Sequence, residues 1–282
     1  MERATSIVER IVEWASHDES VRALLLVGSR GRNEAVDELS DFDIAVFTTT
    51  LVPHTSEDLW LHRIGEVWVC IPEEFDRDGE AVPTRLVIFD GGVKVDFAFY
   101  RLGVLERFDE GDELRGGFEV LVDKEGTTRN LRSPNGSAFK HREPTEAEFV
   151  HHVSEFWFEC YYVAKYLRRG ELWLAKTIDG NLKAFLLKAI EWNEQARHGR
   201  DYETHYSGKE MKAWVSPATW ERLHATFAHF DGIDSWESLF ATMQLFRDLA
   251  RETAELLSFS YPENVDRNMS TFVIQINESI KS

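Results

Sequence analysis

The chain has 282 residues, 43% of them hydrophobic and 29% charged, and its 50 acidic and 32 basic side chains leave a formal net charge of −18. That length allows one large domain or two ordinary ones, each with its own core. The acidic balance argues against general nucleic-acid binding and favours encounter with a cationic small molecule, although the same charge also serves simple solubility.

Two cysteines, Cys70 and Cys160, make no disulfide framework and fit a reducing compartment. The N-terminal segment scatters charges among its apolar positions, unlike a secretory leader, and no apolar run is long enough to span a bilayer. The expectation is a soluble, cytoplasmic monomer without membrane attachment.

In chain order, Ile7, Ile11, Val12 and Trp14 recur at helical spacing, which predicts a helix over 4–16. Val21 to Val27 is a short apolar run ending at Gly28 and reads as a buried strand, followed by a polar loop. Asp43 to Phe47 reads as a second strand, and Glu66 to Ile71 as a third, stopped by Pro72. Arg85–Phe89 and Val93–Phe99 flank Asp90-Gly91-Gly92, a hairpin signal because glycine supplies the positive φ of a tight turn. Thr127 to Pro144, with Pro134 and Gly136, is polar and reads as a linker.

Beyond it the period becomes helical. Phe149, Val153, Phe156, Cys160, Val163 and Leu167 mark one helix face, ended by Gly170. Leu174, Ile178, Leu182, Phe185, Ala189 and Trp192 mark a second helix to about Gly199. Ser216-Pro217 starts another, and Asp234 with Glu237 reads as a capping box before a helix to about Ser258. The organisation is α+β: a mixed sheet flanked by helices over 1–144, then an all-helical bundle over 145–282.

The chemistry concentrates after the first strand. In Gly28-Ser29-Arg30-Gly31-Arg32 the first glycine permits close approach to the backbone. The Ser29 hydroxyl and neighbouring N–H groups suit phosphate oxygens, as do the guanidinium donors of Arg30 and Arg32. Asp41 and Asp43 lie two apart at a strand's start, so their side chains share one face. Two aspartates beside a phosphate cradle suit Mg²⁺, which completes its shell with substrate phosphates.

In the later strand Lys94, Asp96 and Ala98 share one face, while Val93, Val95, Phe97 and Phe99 share the other. A carboxylate in an apolar strand is costly unless paired or coordinated. If this strand lies beside the one carrying Asp43, three carboxylates converge, and Asp96 can bind metal, act as general base, or do both. Taken singly, a Gly-Ser turn or an Asp-X-Asp is an ordinary loop feature; the joint pattern is what points to chemistry.

The stretch GSRGRNEAVDELSDFDIAVF resembles the signature of the DNA-polymerase-β-like nucleotidyltransferases. EFWFECYYVAKYLRRGELWLAK, ESLFATMQLFRDLARETAELL and YPENVDRNMSTFV resemble the streptomycin (aminoglycoside 6-) adenylyltransferases, so the resemblance covers nearly the whole chain. It implies AMP transfer from ATP, with Mg²⁺, to a hydroxyl of streptomycin, releasing pyrophosphate. It further implies that Gly28, Ser29 and Arg30 hold the triphosphate, and Asp41 and Asp43 the metal. Asp96 would be the third carboxylate and the candidate base, and the helical domain would supply most acceptor contacts.

Secondary candidates are weighed against ordinary roles. Lys183 is a candidate for the triphosphate, against a solvated helical lysine. Glu155, Glu159, Asp179 and Glu191 are candidates for the acceptor's cationic groups, against exposed helix carboxylates. Trp157, Trp173 and Trp192 sit at spacings where core packing is the default, with Trp173 retained as an acceptor contact. His151 and His152 diverge on a helix and are read as structural. Tyr261 and Arg267 either fix the C-terminal segment or touch nucleotide. The competing readings are the same transfer to another aminoglycoside, a lincosamide or a protein hydroxyl, and a non-catalytic nucleotide- or drug-binding protein.

Overall fold

The computed structural model describes residues 2–33, 36–110, 114, 117–133 and 143–278. It divides into two compact units, Met1–Ala138 and Phe139–Ser282.

In the first unit, α1 (Glu2–His17) precedes β1 (Val21–Val27), a single turn of helix α2 (Gly28–Arg32) and β2 (Phe42–Thr48). Then come β3 (Val67–Arg77), β4 (Glu80–Phe89), β5 (Val93–Arg101) and β6 (Glu119–Asp123). The six strands form one mixed sheet in the order β3-β4-β5-β2-β1-β6, with β2 and β5 parallel and every other pair antiparallel. The α+β expectation is met, as is the hairpin turning at Asp90–Gly92.

Strand alternation divides the sheet into two faces. Leu24, Leu26, Ile44, Val46, Val95, Phe97 and Phe99 pack in one core cluster with Ile7, Ile11 and Trp14 of α1. Ala23, Leu25, Ala45, Phe47 and Tyr100 belong to a second cluster with Leu105 and Phe108. Asp43 alternates with Ala45 and Phe47, and Asp96 with Ala98 and Tyr100, so both carboxylates belong to the second face. The apolar face foreseen for β5 is therefore the one covered by α1.

Three readings of this unit need correction. The segment after Gly28 is a helical turn rather than a loop. Pro72 does not stop β3, which continues to Arg77 with Pro72 opposite Arg85. An edge strand tolerates the missing N–H because one side has no ladder to complete. The stretch read as a linker begins as folded chain: Thr128 donates through Oγ1 to Asp123 Oδ2 at 2.7 Å, and Leu131 is buried in the second cluster. Its residues 134–142, Pro134 and Gly136 among them, lie outside the described residues.

The second unit contains α3 (Glu146–Arg168), α4 (Leu172–His198), the short α5 (Met211–Trp214) and α6 (Pro217–Leu223), then α7 (Gly232–Leu257) and α8 (Glu263–Glu278). Thr145 and Glu148 close a capping box on α3, satisfying two orphan donors. All six apolar positions predicted for α3 are buried. Ser216 caps α6 as expected. For α7 the cap is Asp231, accepting from the Asp234 N–H, so the expected box at Asp234 is misplaced; the Asp234 carboxylate takes the backbone N–H of His229 at 2.7 Å.

The YPENVDRN phrase has a structural role. Asp266, 2% exposed, accepts from Arg247 Nε at 2.7 Å and Nη2 at 2.6 Å, and from the Tyr261 hydroxyl at 2.9 Å. Arg247 also lies over the Trp157 ring at 5.0 Å. This buried network ties α8 to α7 and α3. Both cysteines are free, and no described helix is long and apolar enough to cross a membrane.

Candidate active site

The site starts where β1 ends. Gly28 has φ +65°, and a Cβ built there would lie 1.8 Å from Asp43 Oδ2. Glycine is therefore required twice, by the left-handed backbone and by the carboxylate packed against it. A Cβ on Gly31 would fall 2.4 Å from the Leu26 carbonyl oxygen, so the α2 turn sits directly on β1. At Gly28 the sequence predicts that a ligand is admitted to the backbone; the group packed against it in the structure is the Asp43 carboxylate.

Asp41 immediately precedes β2, and Asp43 is its second residue. In the parallel β2–β5 pair Asp43 is the register partner of Asp96. One carboxylate oxygen from each of Asp41, Asp43 and Asp96 lies within 4.8 Å of the others. The convergence that depended on β5 lying beside β2 is thus present.

Like charges this close resist ionisation together. Asp43 is raised to about 6, first by burial and then by Asp41 and Asp96. Burial also raises Asp96, opposed by Lys94 and aided by Asp41. Lys94 donates to Asp41 Oδ2 at 2.9 Å and to Asp96 Oδ2 at 2.7 Å. Burial alone would lower its pKa, but those two hydrogen bonds raise it, so the ammonium stays charged. Sequence reasoning placed Lys94 on the face of Asp96 without giving it a role; the i, i+2 spacing was the available signal.

This cluster fits a divalent cation. Its donors are hard carboxylate oxygens, and Asp96 Oδ1 is buried without a hydrogen-bond partner among the described residues. One ammonium does not balance three carboxylates.

Arg30 is turned inward. Its Nε donates to the Ser40 carbonyl at 3.0 Å and the Asp41 carbonyl at 3.1 Å. Its Nη2 donates to the Asp37 carbonyl at 3.0 Å and the Ser40 carbonyl at 2.8 Å. The guanidinium also lies 4.1 Å from the Phe42 ring centroid. It clamps the segment that presents Asp41, a task the motif alone did not reveal. Ser29 and Arg32 are half-buried on the α2 turn, and Arg32 is near enough to act electrostatically on Asp43.

A family model described as streptomycin adenylyltransferase matches residues 1–276. The chain belongs to the streptomycin adenylyltransferase family. The aminoglycoside 6-adenylyltransferase of Bacillus subtilis (strain 168) is 28% identical over 100% of both chains, and that of Campylobacter jejuni is 29% identical over 98% of this chain and 96% of the other. A crystal structure of an aminoglycoside 6-adenyltransferase from Bacillus subtilis is similar with a TM-score of 0.48 and 23% identity, covering 96% of this chain and 97% of that one.

In this adenylyltransferase the helical-unit candidates separate by environment. Lys183 Nζ donates to Asp179 Oδ1 at 2.6 Å and to Thr242 Oγ1 at 3.0 Å. Burial lowers its pKa, opposed by Asp179. Lys183 and Asp179, read as separate triphosphate and acceptor contacts, are therefore partners in one interior ion pair. Glu191 is buried and takes Lys188 at 3.1 Å. Trp157 and Trp192 belong to the core, whereas Trp173 is 79% exposed, with its ring 6.1 Å from that of Phe230. Glu155 and Glu159 lie one turn apart on α3, and Glu159 is raised by burial and by Glu155. His152 is packed against Phe185 and Trp192, the structural role read for it, and His151 is exposed beside Glu155.

Proposed function

We propose that this enzyme transfers AMP from ATP to a hydroxyl of an aminoglycoside, with the 6-hydroxyl of streptomycin as the first acceptor to test. The observation that carries the reading is the convergence of Asp41, Asp43 and Asp96 across the β2–β5 pair, beside the glycine-bearing turn after β1. Family membership and the names of the relatives support the donor and the acceptor class.

In this reading Asp41, Asp43 and Asp96 hold Mg²⁺, which supplies charge neutralisation at the reacting phosphate. Gly28, Ser29 and Arg32 border the triphosphate. Asp96, the third carboxylate of the cluster, is the group placed to accept the proton of the acceptor hydroxyl. The acceptor oxygen bonds to the α-phosphorus as the bond from that phosphorus to the β-phosphate oxygen breaks, and pyrophosphate leaves. Arg30 acts through Asp41 rather than on the nucleotide. Lys183 and Asp179, bound to each other, receive no direct role. Glu155 and Glu159 supply negative charge for the acceptor's cationic groups, and exposed Trp173 a surface for a sugar face. The protein's charge of −18 speeds the approach of such a polycation.

The test is incubation of the protein with ATP, Mg²⁺ and streptomycin, followed by mass spectrometry of the drug. A mass gain of one AMP, lost in an Asp41→Asn, Asp43→Asn double variant, supports the reading. Pyrophosphate release with another acceptor but not streptomycin would move the specificity. Tight drug binding without transfer to any acceptor would overturn the proposed reaction.

A further inference from the structure

The Lys94 ammonium sits between two of the three carboxylates, and the proposed reaction assigns it nothing. It makes hydrogen bonds of 2.9 and 2.7 Å to the Oδ2 atoms of Asp41 and Asp96. These residues belong to the cluster in which one oxygen from each carboxylate lies within 4.8 Å of the others. A divalent cation bound between Asp41 and Asp96 would compete with the ammonium for the same two carboxylates. It would also meet a positive charge at contact distance, so the two cations exclude each other.

The surroundings of Lys94 permit exchange. Its side chain is 40% exposed, and its four-carbon stem is flexible, so the head can leave while β5 stays paired on both sides. Asp96 differs: its backbone is held in the ladder, and its Oδ1 is buried without a partner among the described residues. The backbone under Asp96 is therefore fixed and its carboxylate incompletely neutralised, while the partly exposed ammonium is open to displacement.

We infer that Lys94 is the resident counter-ion of this cluster, holding Asp41 and Asp96 in convergence before a divalent cation binds and being displaced by it. Lys94 is on this view a positioning residue. The inference rests on the reading of the cluster as a divalent-cation site.

Mn²⁺ titration of the EDTA-treated full-length protein, with free Mn²⁺ followed by electron paramagnetic resonance, tests it without turnover. Removal of a competing charge in Lys94→Met should tighten Mn²⁺ binding by about tenfold. Lys94→Gln, which keeps a polar end, should also tighten it, and Lys94→Arg, which keeps the charge, should stay near wild type. In EDTA Lys94→Met should melt below wild type, and saturating Mn²⁺ should recover the difference. Equal or weaker Mn²⁺ binding in the Met and Gln variants, with saturable binding by wild type, would overturn the role of Lys94 alone. No saturable binding by wild type or by either variant would overturn the cation reading and this inference with it.

Discussion

Asp43 and Asp96 are register partners across the parallel β2–β5 pair, so two carboxylates from segments far apart in sequence face one another on the same side of the sheet. Strand β5 reaches that place only after β3 and β4 have run out to the sheet edge and back. The consequence is a pair of carboxylates whose backbone positions are set by the sheet, with Asp41 just ahead of β2 as the third member.

That confinement predicts a pH dependence. Asp43 is raised from 3.8 to about 6. Between those values the folded protein keeps a proton that the unfolded chain has released, so stability falls as pH rises through the window, and the penalty is complete above it. The shift corresponds to at most about 3 kcal/mol. In EDTA, thermal melts from about pH 4 to about pH 7 should fall more steeply for wild type than for Asp43→Asn. The same variant should lose about a thousandfold in adenylyl transfer. Parallel melting curves would contradict the charge argument.

Gly28→Ala should damage activity more than stability. The added methyl cannot share space with Asp43 Oδ2, 1.8 Å away, and the backbone at φ +65° disfavours any side chain. The strain is about 1–2 kcal/mol, whereas displacement of Asp43 should reduce kcat by about a hundredfold or more. Denaturant midpoints and single-turnover rates measured together would show the imbalance; a variant with normal turnover would contradict it.

Arg30 distinguishes positioning from phosphate binding. Because its donors are spent on the carbonyls of Asp37, Ser40 and Asp41, Arg30→Met should lower kcat and leave KM for ATP within about threefold. Arg30→Lys should fail to rescue, since one ammonium cannot span the same carbonyls. A large rise in KM for ATP with kcat preserved would instead make Arg30 a triphosphate ligand.

The acceptor surface is tested by Glu155→Gln with Glu159→Gln. Removing both charges should raise KM for streptomycin by about tenfold and leave KM for ATP unchanged, with the effect shrinking as salt is added. Steady-state kinetics at two ionic strengths suffices, and an unchanged KM for the drug would place acceptor recognition elsewhere.

Asp266 predicts a stability effect. Asp266→Ala leaves the Arg247 guanidinium, only 19% exposed, without its anion and should cost about 3–5 kcal/mol. Combining Arg247→Met with Asp266→Leu should cost much less, because no charge remains unpaired. Urea midpoints for the two variants decide between a buried ion pair and an ordinary surface bridge.

Local pattern alone determined a good deal. The two-residue period of β5 already separated Asp96 from Val95, Phe97 and Phe99, and the helical period of α3 marked its buried face, because which side a residue occupies follows from backbone geometry. The phrases shared with the adenylyltransferases named the family before any contact was visible. Other features required the fold. The pairing of Asp43 with Asp96 depends on strand order, which no local pattern encodes. Pro72 could remain in β3 only because that strand is at the edge. Arg30 and Arg32 look alike in sequence, yet one is committed to carbonyls of the following segment. Lys183 and Asp179 are a helical i, i+4 pair on any reading, but their burial beside Thr242 of α7 made them an interior ion pair. Sequence set which groups the site would contain; tertiary structure decided which of them meet, because contact and desolvation arise only when distant segments pack.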